Sequence, residues 1–207
     1  MRVFSSLALT LALVAASAAG PVAPASAARL KISVGWVVIS ADMCPLVFEK
    51  PDILKHYGKS YIVEPTRFKG TSAEITAMAS GQLDIASLAY SSLPLAIENA
   101  HLDDLRVIAD GFQDGHQGYA SIDYMVKNGS AIKKVEDLKG KILGVNVIGA
   151  AVDIGGRAVL AKHGLQYPRD YSIVESPFPA IGAMLLSGKA DIVSMPAPFV
   201  YAPAVQK

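Results

Sequence analysis

Hydroxyl and amide side chains set beside glycines at helix starts are the residues of this 207-residue chain whose spacing could do chemistry. Gly70-Thr71-Ser72 puts two hydroxyls next to a glycine that lets a ligand approach the backbone. Asn146 with Gly149-Ala150-Ala151 repeats the arrangement in the second half, and Tyr90-Ser91-Ser92 follows another strand end. The first backbone N–H groups of a helix have no partner within it, and the helix dipole adds partial positive charge there. Two such ends facing one another favour a small anion. Taken singly, Thr71 and Ser72 read as ordinary N-caps; several junctions converging on one cleft read as a binding site. Trp36, beside Gly35 at the end of the first strand, reads equally as a cleft wall or as core, and Tyr90 and Phe178 sit at comparable turns. Met195-Pro196 ends the last strand, where the proline can serve simply to stop it.

Covalent and metal chemistry find no pattern. The sequence has no G-x-S-x-G elbow, no P-loop and no G-x-G-x-x-G turn. His56, His101, His116 and His163 are scattered, without an i, i+4 pair or a cysteine at metal spacing. No cofactor and no metal are expected, and the chain reads as a non-enzyme; Asp42 and His116 are the candidates for an acid or base if it were one. The single Cys44 can make no internal disulfide and reads as a small buried hydrophobe.

Positioning those junctions requires alternating strands and helices. Patterning predicts strands over 30–38, 61–64, 83–88 and 105–109, and helices over 41–57, 71–79 and 93–100. Asp42 is the expected N-cap of the first helix, Gly58 its stop, and Thr71-Ser72-Ala73-Glu74 a capping box opening the second. Residues 110–118 are polar and glycine-rich, which suits a hinge between lobes or an ordinary surface loop. Beyond them, 119–126 is extended and 134–139 is a short helical turn. Strands are expected at 142–147, 172–175 and 190–195, and helices at 151–163 and 179–187.

One segment occurs twice. Ser80-Gly81-Gln82-Leu83-Asp84-Ile85-Ala86-Ser87 returns as Ser187-Gly188-Lys189-Ala190-Asp191-Ile192-Val193-Ser194, at a constant offset of 107. Each copy follows an Ala/Met/Leu-rich stretch and reads as helix, glycine stop, buried strand. A unit used twice implies two similar α/β lobes, each a mostly parallel sheet flanked by helices, with a cleft between them.

The N-terminus has a basic start at Arg2, an apolar stretch to about residue 19, and the small residues Ala25-Ser26-Ala27. That is the order of a cleavable export signal, and it is short of the roughly 20 apolar residues of a membrane span. A signal peptide over 1–27 and a periplasmic mature chain are expected. Removing Arg2 takes the formal net charge from +1 to 0, which leaves no electrostatic footprint for nucleic acid.

Several of these segments together resemble a known family. Val34-Gly35-Trp36 follows the export signal, and Ala79-Ser80-Gly81-Gln82-Leu83-Asp84-Ile85-Ala86 comes next. Val135-Glu136-Asp137-Leu138-Lys139-Gly140-Lys141, His163-Gly164-Leu165 and Ser187-Gly188-Lys189-Ala190-Asp191-Ile192 complete the set. In this order they resemble the nitrate/sulfonate/taurine class of periplasmic substrate-binding proteins of ABC importers. The resemblance implies a type II periplasmic-binding-protein fold: lobe 1 over 28–112, a hinge at 113–118 and lobe 2 over 119–207. It implies a monomer that captures a small organic anion and delivers it to permease and ATPase subunits in the inner membrane. By similarity the ligand loops carry Trp36 and Ser40, Thr71 and Ser72, Tyr90, Ser91 and Ser92, Asn146, Gly149, Ala150 and Ala151, and Met195 and Pro196. Members of the family are usually longer, with a return of the chain to lobe 1, so this chain is expected to be C-terminally truncated. The same fold serves pyrimidine- and menaquinone-pathway enzymes, which is the alternative function; a ligand-binding sensory domain is a third.

Overall fold

The computed structural model describes residues 28–38, 42, 44–111 and 113–201. Residues 1–27, Ser40, Phe112, residues 202–207 and the side chain of Cys44 lie outside the described residues, and with them the expected signal peptide.

The first half builds a three-stranded parallel sheet. Strand β1 (Leu30–Trp36) lies at its centre, between β2 (Tyr61–Arg67) and β3 (Ile85–Ala86). Helix α1 (Cys44–Phe48) precedes β2, α2 (Thr71–Ala79) joins β2 to β3, and α3 (Leu93–Ala100) follows. The second half builds a four-stranded sheet in the order β4 (Ile122–Val126), β7 (Ile192–Pro196), β5 (Ile142–Val145), β6 (Ser172–Glu175). Helices α4 (Ala151–Lys162) and α5 (Phe178–Leu186) make its crossovers. Pairing is parallel throughout except for β4 against β7. The order β2-β1-β3 recurs as β6-β5-β7, so the two halves share one topology.

The repeated segment explains that symmetry at the level of atoms. Gly81 and Gly188 both adopt left-handed φ, +71° and +78°, and end α2 and α5 where a Cβ would be strained. The aspartate three residues on then pairs with the central strand of its own sheet. Asp84 Oδ2 accepts the Ser33 N–H at 2.7 Å, while the Asp84 N–H donates to Ser33 O at 3.0 Å. Asp191 Oδ2 accepts the Ile142 N–H at 2.9 Å, and its own N–H donates to Ile142 O at 2.9 Å. Each aspartate thus satisfies a backbone donor of that strand, Ser33 in the middle of β1 and Ile142 at the start of β5.

Lobe 2 has the larger core. Leu143, Val145, Val152, Leu160 and Phe178 form one buried cluster, and Ile181, Leu185, Val193 and Met195 another. Gly156 interrupts α4 at a cost of about 1 kcal/mol against alanine, and the reason is close approach. A β-carbon there would meet Tyr124 Oη at 3.1 Å, and that hydroxyl donates to Val152 O at 2.6 Å. Burial, and then the negative charge of Asp153, push the Tyr124 phenol up to about 12, so it remains a donor.

Four expectations are corrected. The 41–57 helix is broken into α1 and a 3-10 turn at Pro51–Ile53, because Pro51 cannot continue an i, i−4 ladder. Asp42 does not cap it: its Oδ2 reaches back to the Val37 and Val38 N–H groups, at 2.8 and 3.0 Å. The 83–88 strand shrinks to the two residues of β3. Residues 105–109 form no strand; they run exposed, with Val107 and Ile108 turned to solvent. Their apolar composition mimics a buried strand, but no neighbouring strand among the described residues pairs with them.

Candidate functional site

The carboxyl ends of β1, β2 and β5 and the starts of α2 and α4 meet where the two halves touch. Gly70 is the closest point. A β-carbon on it would lie 3.1 Å from Asn146 Nδ2 and 3.3 Å from both Ala150 Cβ and Val147 Cγ2. Its φ of 179° is ordinary extended backbone, so glycine is required here by proximity and not by conformation. The Asn146 amide donates to Lys69 O at 2.8 Å and bridges the two lobes. Val37 and Val38, just beyond β1, join the apolar cluster of lobe 2.

The first turn of α2 is polar and buried. Thr71 and Ser92 hydroxyls are paired at 3.0 Å, tying the starts of α2 and α3 together; Gly70 occupies the cap position of α2, and Ser92 that of α3 without a side-chain capping bond. The expected capping box is therefore absent. Glu74 turns inward instead, with no exposed surface, on the same face as Thr71 and Ala77. Burial first, and the charge of buried Asp42 second, push its carboxyl up to about 8; the Ser87 N–H, itself spent on Gly35 O at 3.3 Å, offsets only part of this. Among the described residues the buried side-chain oxygens without a hydrogen-bond partner are Ser72 Oγ, both oxygens of Glu74, and Asn146 Oδ1. They all belong to the first turn of α2 or to the residue that faces it.

The start of α4 is less open than its small residues suggest. Asp153 is buried in the first turn, accepts the Gly149 N–H at 2.8 Å and pairs with Arg157 at 2.7 Å. The Ala150 N–H goes to Val147 O, and the Ile148 N–H to Glu175. The Gly149 and Ala150 amides are thus already engaged within the chain, a correction to their expected role as ligand donors. An internal carboxylate also answers the helix dipole there. Ala151 remains at the first helical position, half-buried.

Of the remaining expected residues, Trp36 is half-buried at the end of β1, and the Arg67 guanidinium lies 5.5 Å from its ring while Nε donates to Val37 O at 3.2 Å. Tyr90 and Ser91 are exposed on the turn before α3. Met195 and Pro196 are fully buried in lobe 2, so they pack rather than line. Phe178 is likewise core, stacked on Phe199. Arg67 and Glu74 are the residues that sequence reasoning passed over. Glu74 carried a signal, since it stands on the i, i+3, i+6 stripe with Thr71 and Ala77. No group of three His, Cys, Asp or Glu side chains suited to a metal occurs among the described residues. A shallow cavity of about 240 Å³ lies elsewhere, at the opposite end of the lobe 2 sheet, between Lys127–Ser130 and Gly188–Asp191.

Two topologically matched α/β lobes meeting at strand carboxyl ends define the type II periplasmic-binding-protein fold. The chain belongs to the NMT1-like family, whose profile matches residues 25–207. Among solved structures it is similar to the alkanesulfonate-binding protein SsuA from Xanthomonas axonopodis pv. citri bound to MOPS, with a TM-score of 0.63 and 20% identity over 86% of this chain and 58% of that one. The periplasmic aliphatic sulphonate binding protein SsuA from Escherichia coli gives 0.57 and 17% over 86% and 58%. The periplasmic nitrate-binding protein NrtA from Synechocystis PCC 6803 gives 0.53 and 14% over 83% and 48%. The chain therefore spans about half to three-fifths of these structures' length. No curated protein matches it. Among the described residues no helix is long and apolar enough to cross a membrane.

Proposed function

We propose that this chain is the solute-binding component of an ABC importer, exported to the periplasm with residues 1–27 removed near Ala27, and that it takes a small organic anion between its lobes. The observation that carries this reading is the concentration of unpartnered buried oxygens at Ser72, Glu74 and Asn146, where the lobes meet. A buried polar atom without a partner costs about 1–3 kcal/mol, and such groups are retained where a ligand completes them. Arg67 and Lys69, both exposed at the rim, supply positive charge on the approach. Residues 113–118 serve as the hinge: Gly115 and Gly118 hold left-handed φ around a 3-10 turn at His116–Gly118, and Asp114 is anchored by the Ser121 N–H and hydroxyl at 2.7 and 2.9 Å. The protein acts as a monomer that hands its ligand to permease and ATPase subunits.

The enzyme alternative gains no residue. Asp42 is committed to two backbone amides, and His116 is exposed in the hinge turn. The test is a thermal-shift screen of the full chain with ethanesulfonate, acetate, nitrate and a pyrimidine, repeated on Ser72→Ala and Asn146→Ala. A specific ligand at a hundred times its Kd adds about 2.7 kcal/mol. A shift with one anion class that both variants weaken supports the reading. A shift that neither variant alters overturns this site.

A further inference from the structure

Glu74 and Asn146 are buried polar side chains, one from each lobe, that flank the start of α2 with acceptor capacity left over. Glu74 has no exposed surface and Asn146 is 7% exposed. Both oxygens of Glu74 and Oδ1 of Asn146 lack a hydrogen-bond partner. The Asn146 amide has only one sensible orientation. Lys69 O can only accept, so Nδ2 must face it, at 2.8 Å, and Oδ1 is the atom left unpaired. On the lobe 1 side Glu74 Oε1 reaches the end of β1. A β-carbon on Gly35 would lie 2.8 Å from it, 2.7 Å from Leu83 Cδ1 and 3.3 Å from Phe68 Cε2, and neither of those two side chains has a donor to offer. Arg67, the cation at the end of β2, is engaged with the Trp36 ring and Val37 O, and Lys69 is exposed.

Unpaired acceptors call for donors. A carboxyl keeps an accepting oxygen in either protonation state, so Glu74 lacks a donor with or without its proton. Nitrate or a plain alkanesulfonate carries acceptors alone and would leave Glu74 and Asn146 unsatisfied. The place for an oxyanion is the first amides of α2, Thr71 and Ser72, which have no acceptor inside the helix. We propose that Glu74 and Asn146 determine specificity: the buried end of the ligand is an N–H donor, a protonated amine received by Glu74 and Asn146 Oδ1, while its anionic end meets the start of α2. The two acceptors belong to different lobes, so such a donor also ties the lobes together, which an anion held on α2 alone does not. The inference rests on the reading of this cleft as the binding site and narrows its substrates from organic anions to amino-bearing ones.

The experiment is titration calorimetry of the full chain at neutral pH with propanoate, β-alanine and propylammonium, which present the anion alone, both groups, and the amine alone. It is repeated on Glu74→Met, which removes both acceptor oxygens at similar volume, and on Glu74→Gln, which keeps one. β-Alanine should bind at least about tenfold more tightly than propanoate to the native chain, the net worth of one hydrogen bond to a charged group. That preference should shrink in Glu74→Gln and vanish in Glu74→Met. The ratio of the two affinities is the readout, because a purely structural role for Glu74 would change both alike. If Glu74→Met does not melt cooperatively, Glu74→Gln and the native ratio decide. Equal affinity for propanoate and β-alanine in the native chain, or an undiminished preference in the variants, overturns the inference and leaves the anion site standing. Binding of propylammonium with neither carboxylate bound supports the donor requirement and counts against the anion. A cooperatively melting native chain that binds none of the three counts against both.

Discussion

Adding one methyl at Gly70 tests whether the lobe contact is the functional surface. The backbone there is extended, so alanine introduces no strain, and by restricting the unfolded chain it would stabilise an isolated lobe by about 0.4–1 kcal/mol. Against the other lobe the same methyl is 3.1 Å from Asn146 Nδ2 and 3.3 Å from Ala150 Cβ and Val147 Cγ2, closer than ordinary van der Waals contact. The lobes must part by a few tenths of an ångström, which strains the Asn146–Lys69 hydrogen bond and the packing around it. Overpacking of this kind costs about 1–3 kcal/mol. Read on a closure equilibrium, that is a shift of about 5- to 150-fold toward separated lobes. Gly70→Ala should therefore enlarge the solution-scattering radius and move Trp36 emission, while the melting temperature stays level or rises. Combined with Asn146→Ala the effects should be strongly non-additive, because both variants act on one contact. A Gly70→Ala chain with native scattering but a markedly lower melting temperature would refute the reasoning, since it would make Gly70 an internal requirement of lobe 1.

Other perturbations probe the two lobes separately. Glu74 has a folded-state carboxyl near 8 against 4.5 unfolded, so its contribution is fully present below about pH 4.5 and is lost as pH rises toward 8. The loss is at most about 5 kcal/mol, and a pH series of urea titrations should show the native slope disappear in Glu74→Gln. Gly144→Ala would set a β-carbon 2.8 Å from Val193 Cγ1 and 3.2 Å from Met184 Sδ in a packed core; chemical denaturation should register a loss of about 1–3 kcal/mol. Asp84→Ala and Asp191→Ala each remove an acceptor from a backbone amide, Ser33 of β1 and Ile142 of β5. Each should cost about 1–2 kcal/mol, with hydrogen exchange accelerating in the sheet that was altered and not in the other. Tyr124→Phe should remove the hydroxyl's hydrogen bond to Val152 O and lower stability by about 1 kcal/mol in a thermal melt.

The strand and helix alternation, the duplicated unit, α3 at 93–100, β6 at 172–175 and the glycine stops at 81 and 188 were legible in the sequence. Each rests on short-range physics: side-chain periodicity, the left-handed freedom of glycine, and the cost of breaking a helix anywhere else. The matched roles of Asp84 and Asp191 are the repeat seen in hydrogen bonds. Gly70 was singled out for letting a backbone be approached closely, and what approaches it here is the other lobe.

What the sequence could not determine depends on which distant groups end up side by side. Glu74 satisfied a local capping pattern, yet the space beneath Gly35 drew it inward and left it unpaired. Gly149 and Ala150 had the composition of an open anion site, yet Asp153 and Val147 claimed their amides. Residues 105–109 had the composition of a strand, yet strand formation needs a partner edge, which is a property of the assembled sheet. Burial, desolvation and pairing are set by neighbours up to a hundred residues away, and tertiary structure alone decides them.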